Sequence, residues 1–158
     1  MFNIGHKKNQ PLVKRCTIIF HLAAAVGVKL IIKDSLNSIL TNVEGTANVL
    51  RLAGKYHKKI ILASSSEVYG KHPCDAIKEE DDRIIGSSHI DRWSYSASKT
   101  IDEFIAFGYA KVKKLPIVII RLFNVVGPRQ SDRYGMVLPA FIKQALSNQP
   151  ITIYGNGL

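Results

Sequence analysis

Short apolar runs alternate along the chain with longer segments whose apolar residues recur at intervals of three and four. Continuous apolar strands are predicted at residues 17–24, 60–64 and 117–122, each followed by small or polar side chains. Helical periodicity runs from residue 34 or 35 to Gly54, from Tyr95 to about Lys114, and over residues 135–147. A last short strand is predicted at residues 151–154. The alternation predicts an α/β fold with a mostly parallel sheet.

Two stretches of the chain show no periodicity. Residues 1–16 contain Gly5, Asn9, Gln10 and Pro11, and we predict an irregular lead-in there. Residues 71–92 are rich in charge and turn formers and include an acidic run at 79–82. Such a run is usually a solvated surface, and a loop near the mouth of a pocket is the alternative.

Size and composition limit the classes of protein. With 158 residues, 46% of them hydrophobic, the chain can form one hydrophobic core. No apolar run approaches the roughly 20 residues that cross a bilayer, and no apolar signal core follows the first residues. We therefore expect a cytoplasmic protein with no membrane partner. Cys16 and Cys74 lie far apart, which predicts ordinary thiols, no disulfide framework and no metal site.

The formal net charge of +10 raises the question of a nucleic-acid partner. The lysine pairs at 7–8, 58–59 and 113–114 are scattered, however, and no basic stripe with interleaved aromatic residues is present. We therefore predict a solvated surface and no nucleic-acid partner. A positive field would favour a small substrate that carries phosphate.

The segment at residues 93–99 carries the first candidate chemistry. Tyr95 and Lys99 are four residues apart, so a helix places both side chains on one face. A nearby ammonium favours the phenolate, so we expect Lys99 to lower the pKa of Tyr95 and make it a usable base. This spacing also occurs by chance on many helices. Because the 60–64 and 117–122 strands both end in polar groups, all three elements can meet in one pocket at the carboxyl ends of the strands.

Two further positions leave alternatives open. Ala23, Ala24 and Ala25 close the first strand, and such small residues permit close approach either of a planar ligand or of a packed helix. Asn42 lies within an apolar helix, where an amide either tethers a neighbouring loop or faces water.

Taken together in order and spacing, the local motifs resemble those of the extended short-chain dehydrogenase/reductase family. The resemblance is strongest to the NAD-dependent nucleotide-sugar epimerases and dehydratases. It extends over nearly the whole chain from Ile18 onward and rests on the segments at residues 21–24, 42–46, 64–70, 95–99, 121–129 and 153–157. The family fold implies a partial NAD-binding, Rossmann-like, doubly wound domain at residues 17–134. Residues 135–158 would be the start of a substrate-binding region.

The resemblance also implies roles for individual residues. Tyr95 would take the proton from a sugar hydroxyl, commonly that on C4, while Lys99 would bind the nicotinamide ribose. Ser65 matches the catalytic serine or threonine, and Glu67 would assist catalysis or be a structural carboxylate. The remaining implied contacts to NAD are Leu22, Ala23, Ala24, Asn42, Ser64 and Phe123. Those implied to contact the substrate, together with Ser65, are Ser66, Asn124, Met136, Val137, Thr152 and Tyr154.

Within this family the outcome depends on the pair Ser66 and Glu67. The 4,6-dehydratases generally carry an Asp-Glu pair there, so Ser66 counts against dehydration. A Ser-Glu pair resembles that of the UDP-glucuronate decarboxylases. The block at residues 92–95 and the segment at 124–137 look more like UDP-glucose 4-epimerases. The resemblance therefore favours 4-epimerisation of a UDP-hexose, with decarboxylation as the second possibility.

One feature of the family is missing from the sequence. No G-x-x-G-x-x-G turn precedes Thr17 to hold the pyrophosphate of NAD, and the chain ends at Leu158. We therefore expect the middle of a larger enzyme that forms a homodimer when complete. The alternative is a truncated, non-catalytic fragment or an interaction module, which would bind NAD poorly.

Overall fold

The computed structural model describes residues 9–73, 76–131, 136–153 and 155. Three parallel strands form its centre, β1 (Ile18–His21), β2 (Lys59–Ser65) and β3 (Ile117–Leu122), in the order β1-β2-β3. In the register, Ile60 of β2 lies between Ile19 of β1 and Ile117 of β3. The predicted parallel α/β fold is confirmed, and β3 has the predicted bounds.

Among the described residues, five helices surround or precede these strands: α1 (Gln10–Arg15), α2 (Val28–Lys33), α3 (Ser35–Tyr56), α4 (Trp93–Lys113) and α5 (Val137–Leu146). The Asp34 side chain caps α3 by accepting a hydrogen bond from the backbone N–H of Asn37. At its other end, α3 stops at His57 in the left-handed conformation. A 3-10 turn, Ser66–Tyr69, follows β2 directly.

The helices α3 and α4 cover one face of the sheet. Their buried residues Val49, Leu50, Ala53 and Ala106 pack with Leu115 and with two fully buried residues of β2, Ile60 and Leu62. The opposite face presents Phe20 and Val118, which stay 62% and 44% exposed. Strand alternation explains the division, because successive side chains point to opposite faces. No helix in the described part of the chain is long and apolar enough to span a membrane.

Three local predictions were wrong. Residues 10–15 form α1 and are not irregular, because Pro11 lies in the first helical turn, where its fixed φ suits a helix. Residues 151–153 form no strand, and Thr152 instead pairs with the side chain of Gln144. The strand predicted at 17–24 ends at His21, because the following residues turn away as a loop. Residues 1–8 and Tyr154 lie outside the described residues.

Candidate active site

A cavity of about 700 Å³ opens at the carboxyl ends of the three strands. The register aligns Ser64 with Arg121 and Ser65 with Leu122, so the ends of β2 and β3 lie side by side. The cavity is bordered by the loop after β1, the end of β2, the first turns of α4, the segment after β3 and the start of α5. Twelve of the predicted site residues line it: Leu22, Ala24, Ser64, Ser65, Ser66, Glu67, Tyr95, Lys99, Phe123, Asn124, Met136 and Val137.

The helix α4 carries Tyr95 and Lys99 on the face that the spacing predicts, and both side chains border the cavity. The Ser65 hydroxyl is a hydrogen-bond partner of the Tyr95 phenol. Ser65 itself is fixed at the end of β2, where its Oγ accepts a hydrogen bond from the backbone N–H of Glu67 at 3.2 Å. The structure therefore brings a hydroxyl and a phenol together at one point of the cavity wall.

Lys99 is nearly fully buried, with 3% of its side chain exposed. Its Nζ donates to the backbone oxygen of Ala63 at 2.9 Å and lies 3.4 Å from Oδ2 of Asp102. Burial lowers the pKa of Lys99, while Asp102 and Glu103 oppose that shift. The ammonium is thus paired within the protein. Its acceptor Ala63 directly precedes Ser64 and Ser65 at the end of β2.

The predicted effect of Lys99 on Tyr95 was wrong. Burial raises the pKa of Tyr95, the hydrogen bond with Ser65 lowers it, and the negative charges of Glu67 and Asp102 raise it further. The spacing of Tyr95 and Lys99 does not reveal that Asp102 lies beside the ammonium and offsets its charge. The phenol is therefore protonated at neutral pH.

Behind Lys99 lies a buried polar chain that the sequence did not predict. His21 Nε2 and Thr46 Oγ1 are 3.1 Å apart, and Thr46 also lowers the pKa of Asp102. Burial raises the pKa of Asp102 to about 6, against the lowering effects of Lys99 and Thr46. Burial and the charge of Lys99 lower the pKa of His21 to about 4, so the imidazole is neutral at pH 7. One part of this chain could be predicted from the sequence, because Asp102 lies three residues after Lys99 and therefore on the same helical face.

A second buried group, Glu103, joins the sheet to α4. Its carboxylate accepts hydrogen bonds from Ser64 Oγ at 2.6 Å, from Arg83 at 2.6 Å, and from Arg121 at 3.0 and 2.9 Å. Arg121 also donates to the Tyr69 hydroxyl and to the backbone oxygen of Glu79, both at 2.8 Å. The Ser64 hydroxyl, implied to contact NAD, is therefore taken by Glu103. This cluster fixes the carboxyl end of β2 relative to the 71–92 segment.

Asn42 tethers the loop after β1, which answers one of the open alternatives. Its amide accepts from Ala25 N–H at 2.7 Å, donates to Ala25 O at 3.2 Å and donates to Ser98 Oγ at 3.2 Å. Asn42 is buried behind the loop and does not line the cavity. It therefore positions Ala24, which does line the cavity, whereas Ala23 does not.

Glu67 lies at the cavity wall beside a cation that the sequence did not single out. Its Oε1 is 3.6 Å from Nη2 of Arg92, the residue that precedes α4. The Ser96 hydroxyl donates to the backbone oxygen of Glu67 at 2.6 Å and so holds this part of the 3-10 turn against α4. Thr152 is exposed and bonded to Gln144, and the structure does not bring it to the cavity.

The cavity suits the nicotinamide half of NAD. Leu22 and Ala24, Tyr95 and Lys99, and the exposed ring of Phe123 border one continuous space of sufficient size. A bound oxidised nicotinamide ring would supply a hydride acceptor and a positive charge near the Tyr95 phenol. No Gly-rich loop for the pyrophosphate occurs in the described part of the chain.

The parallel α/β fold, with its hydroxyl, phenol and lysine at the strand ends, is of the Rossmann type. A family model described as the NAD dependent epimerase/dehydratase family matches residues 6–158. The chain belongs to this family, as the sequence predicted, and the family is NAD-dependent.

Sequence relatives include decarboxylases of sugar acids. The chain is 45% identical over 147 residues to UDP-N-acetyl-alpha-D-glucosaminuronate decarboxylase of Bacillus cytotoxicus, with 92% of the chain and 45% of that protein covered. It is 32% identical to UDP-glucuronic acid decarboxylase 1 of Xenopus tropicalis over 98% of the chain and 36% of that protein.

A solved structure of an epimerase is also similar. The crystal structure of UDP-glucuronic acid 4-epimerase from Bacillus cereus, in complex with UDP-glucuronic acid and NAD, matches with a TM-score of 0.84 and 32% identity. The match covers 98% of the chain and 47% of that structure. The chain therefore spans less than half the length of each of these three proteins.

Proposed function

We propose that the protein modifies a UDP-sugar by transient oxidation at C4, with Tyr95 as the base that takes the proton of the C4 hydroxyl. Ser65 orients that hydroxyl and stabilises the phenolate through the hydrogen bond it shares with Tyr95. Leu22, Ala24, Lys99 and Phe123 would border the cofactor. Ser66, Asn124, Met136 and Val137 would border the substrate on the other side of the cavity.

The observation that carries this proposal is the meeting of Ser65 and Tyr95 in one cavity next to a buried cation. A phenol whose pKa is raised by burial is a poor base on its own. It becomes a better one when positive charge arrives beside it, because such charge favours the phenolate. The arrangement therefore couples proton removal to occupation of the cavity by the oxidised cofactor.

For the outcome after oxidation, we place decarboxylation of a UDP-uronate first. Once C4 of a uronate is a ketone, the carboxylate on C5 belongs to a β-keto acid, which loses carbon dioxide readily. The decarboxylases at 45% and 32% identity support this order. The sequence favours 4-epimerisation instead. We keep that outcome as the second candidate, because the similar Bacillus cereus structure is a 4-epimerase. UDP-glucose, the substrate expected from the sequence, then serves as the neutral sugar with which a UDP-uronate is compared.

Tyr95→Phe tests the proposal. The protein is incubated with NAD and UDP-glucuronate, and proton NMR follows formation of UDP-xylose or UDP-galacturonate. We expect turnover to fall by about 100- to 10,000-fold, the usual contribution of a general base. Tyr109→Phe is the matched control, because Tyr109 lies on the same helix and packs against Gly54, away from the cavity. Turnover retained in Tyr95→Phe would remove Tyr95 from the reaction.

We also propose a homodimer for the complete enzyme. The helix α4 presents Ile101, Phe104 and Phe107 with 43%, 65% and 56% of their surface exposed. A second copy of the same helix would cover this apolar row symmetrically. The cytoplasmic location expected from the sequence stays a prediction.

A further inference from the structure

The charged residues in the described lining of the cavity are Glu67, Arg92 and Lys99. Lys99 is buried and already bonded to Ala63 and Asp102. Arg92 differs from it, because 55% of its side chain is exposed. Of the two cations, Arg92 is therefore the one with donors available to a ligand.

On the proposed function, Arg92 lies beside the part of the cavity that would hold the sugar. It precedes Tyr95 by three residues at the start of α4, and its guanidinium faces Glu67, which follows Ser65 and Ser66 directly. The guanidinium also lies 5.3 Å from the ring of Trp93, a cation–π contact that limits its freedom. A negative group attached to the sugar would therefore meet this cation close to the reacting hydroxyl.

The contact between Arg92 and Glu67 leaves most of the binding capacity of Arg92 unused. The two groups are 3.6 Å apart, beyond an ordinary charge-assisted hydrogen bond of about 2.7–2.9 Å. A guanidinium has five N–H donors in a planar fork that matches a carboxylate in two parallel hydrogen bonds. Both side chains are partly exposed, so the existing pair is weak and exchangeable.

We infer that Arg92 is the residue that recognises the C6 carboxylate of a UDP-uronate, an assignment that rests on the proposed function. Glu67 holds the guanidinium near the sugar site and competes for it with the substrate. The same subsite serves decarboxylation and 4-epimerisation, because both begin with a sugar acid. Arg92 is thus a specificity-determining residue, which selects uronates over neutral sugars.

The test compares UDP-glucuronate with UDP-glucose, which differ only at C6, a carboxylate in the first and a hydroxymethyl group in the second. Calorimetry measures both affinities, in the presence of NAD, for the wild-type chain, Arg92→Gln, Arg92→Lys and Arg51→Gln. Arg51 is an exposed arginine on α3 that hydrogen-bonds Asn48, so this control removes the same charge at a distance from the cavity. We expect the wild-type chain to prefer UDP-glucuronate about tenfold, the value of one charge-assisted hydrogen bond.

Arg92→Gln should remove this preference and leave the affinity for UDP-glucose unchanged. Arg92→Lys should retain part of it, because lysine keeps the charge and loses the fork. Arg51→Gln should behave as the wild-type chain. Glu67→Gln should tighten UDP-glucuronate alone, by up to about fivefold, since it frees Arg92 from a weak surface pair.

The possible failures are distinguishable. Equal binding of the two sugars by the wild-type chain, or a preference that survives Arg92→Gln, overturns the assignment of Arg92 and leaves the nucleotide-sugar proposal standing. An equal loss of both ligands in Arg92→Gln also overturns it, because the arginine would then bind the diphosphate. Binding of neither sugar overturns the assignment together with the proposed function.

Discussion

Replacing Glu103 with glutamine tests how the candidate site is held in place. Glu103 has 1% of its surface exposed and accepts four hydrogen bonds from Ser64, Arg83 and Arg121. Glutamine has nearly the same shape but carries no charge, and its amide group would face a guanidinium with two donors of its own. The substitution therefore leaves buried positive charge without a partner while changing the packing little.

The magnitude follows from the burial of the three side chains. Removing one partner from a buried ion pair costs about 3–5 kcal/mol. Arg83 and Arg121 keep 21% and 14% of their side chains exposed, so water offsets part of the loss. We expect a loss near the lower limit, about 3 kcal/mol of unfolding free energy, or roughly 10 °C in melting temperature.

Urea unfolding at pH 7, followed by circular dichroism, measures this loss. Glu80→Gln is the matched control, because Glu80 is exposed in the same part of the chain that Arg121 contacts. It should change stability by less than about 0.5 kcal/mol. A loss below about 1 kcal/mol for Glu103→Gln would refute the reasoning, since the buried arginine charges would then cost little free energy without the Glu103 carboxylate.

The same variant has a predicted pH dependence. Burial alone raises the pKa of Glu103, but hydrogen bonds from Arg121 and Ser64 and the charges of both arginines lower it overall. Because the folded pKa lies below the ordinary value of 4.5, the stabilisation is present above that pH. It is lost as the pH falls through the folded pKa, and this acid loss should be smaller in Glu103→Gln.

Two further predictions concern the backbone after β2 and the buried histidine. Gly70 has a φ of +66°, and a methyl group there would overlap the backbone carbonyl of Ile84, so Gly70→Ala should lower stability by about 2 kcal/mol in thermal unfolding. Gly108→Ala is its control: nothing lies within 4 Å of the added methyl group, so it should stabilise α4 slightly. Because the pKa of His21 falls from 6.5 to about 4, the contribution of His21 to stability should be lost as the pH falls across that interval, while the raised pKa of Asp102 acts in the opposite direction. The histidine contribution amounts to about 3 kcal/mol, so the stability difference between the wild-type chain and His21→Gln in urea unfolding should change by about that amount between pH 7 and pH 4; a constant difference would contradict the buried, neutral histidine.

The parts of the fold that the sequence predicted well are those with strong periodicity. The bounds of α3, α4 and β3 follow from apolar spacing and from clear stops such as Pro116. The helix α2 has only six residues, too few for a period to show, and α1 escapes prediction because Pro11 is typical both of a chain break and of a first helical turn. Short elements depend on their neighbours more than on their own residues.

In the candidate site, too, the residues in local motifs were predictable and those that depend on packing were not. Ser65, Tyr95 and Lys99 were found because each belongs to a compact local motif, and the register of β2 and β3 brings their elements together. The partners His21, Thr46 and Asp102 come from three different elements, so only the folded packing reveals their chain of contacts. For that reason the direction of the Tyr95 pKa was predicted wrongly, although its position was right.

The most direct test of the central claim is whether the C4 hydrogen of the sugar moves to the cofactor under the control of Tyr95. The protein is mixed with NAD and with UDP-glucuronate deuterated at C4, and the reaction is stopped within the first turnover. Mass spectrometry then measures the mass of the reduced cofactor. Reduced cofactor carrying the deuterium in the wild-type chain, and none in Tyr95→Phe, is the predicted result. Product formed without deuterium on the cofactor, or equal labelling in both proteins, would contradict the account.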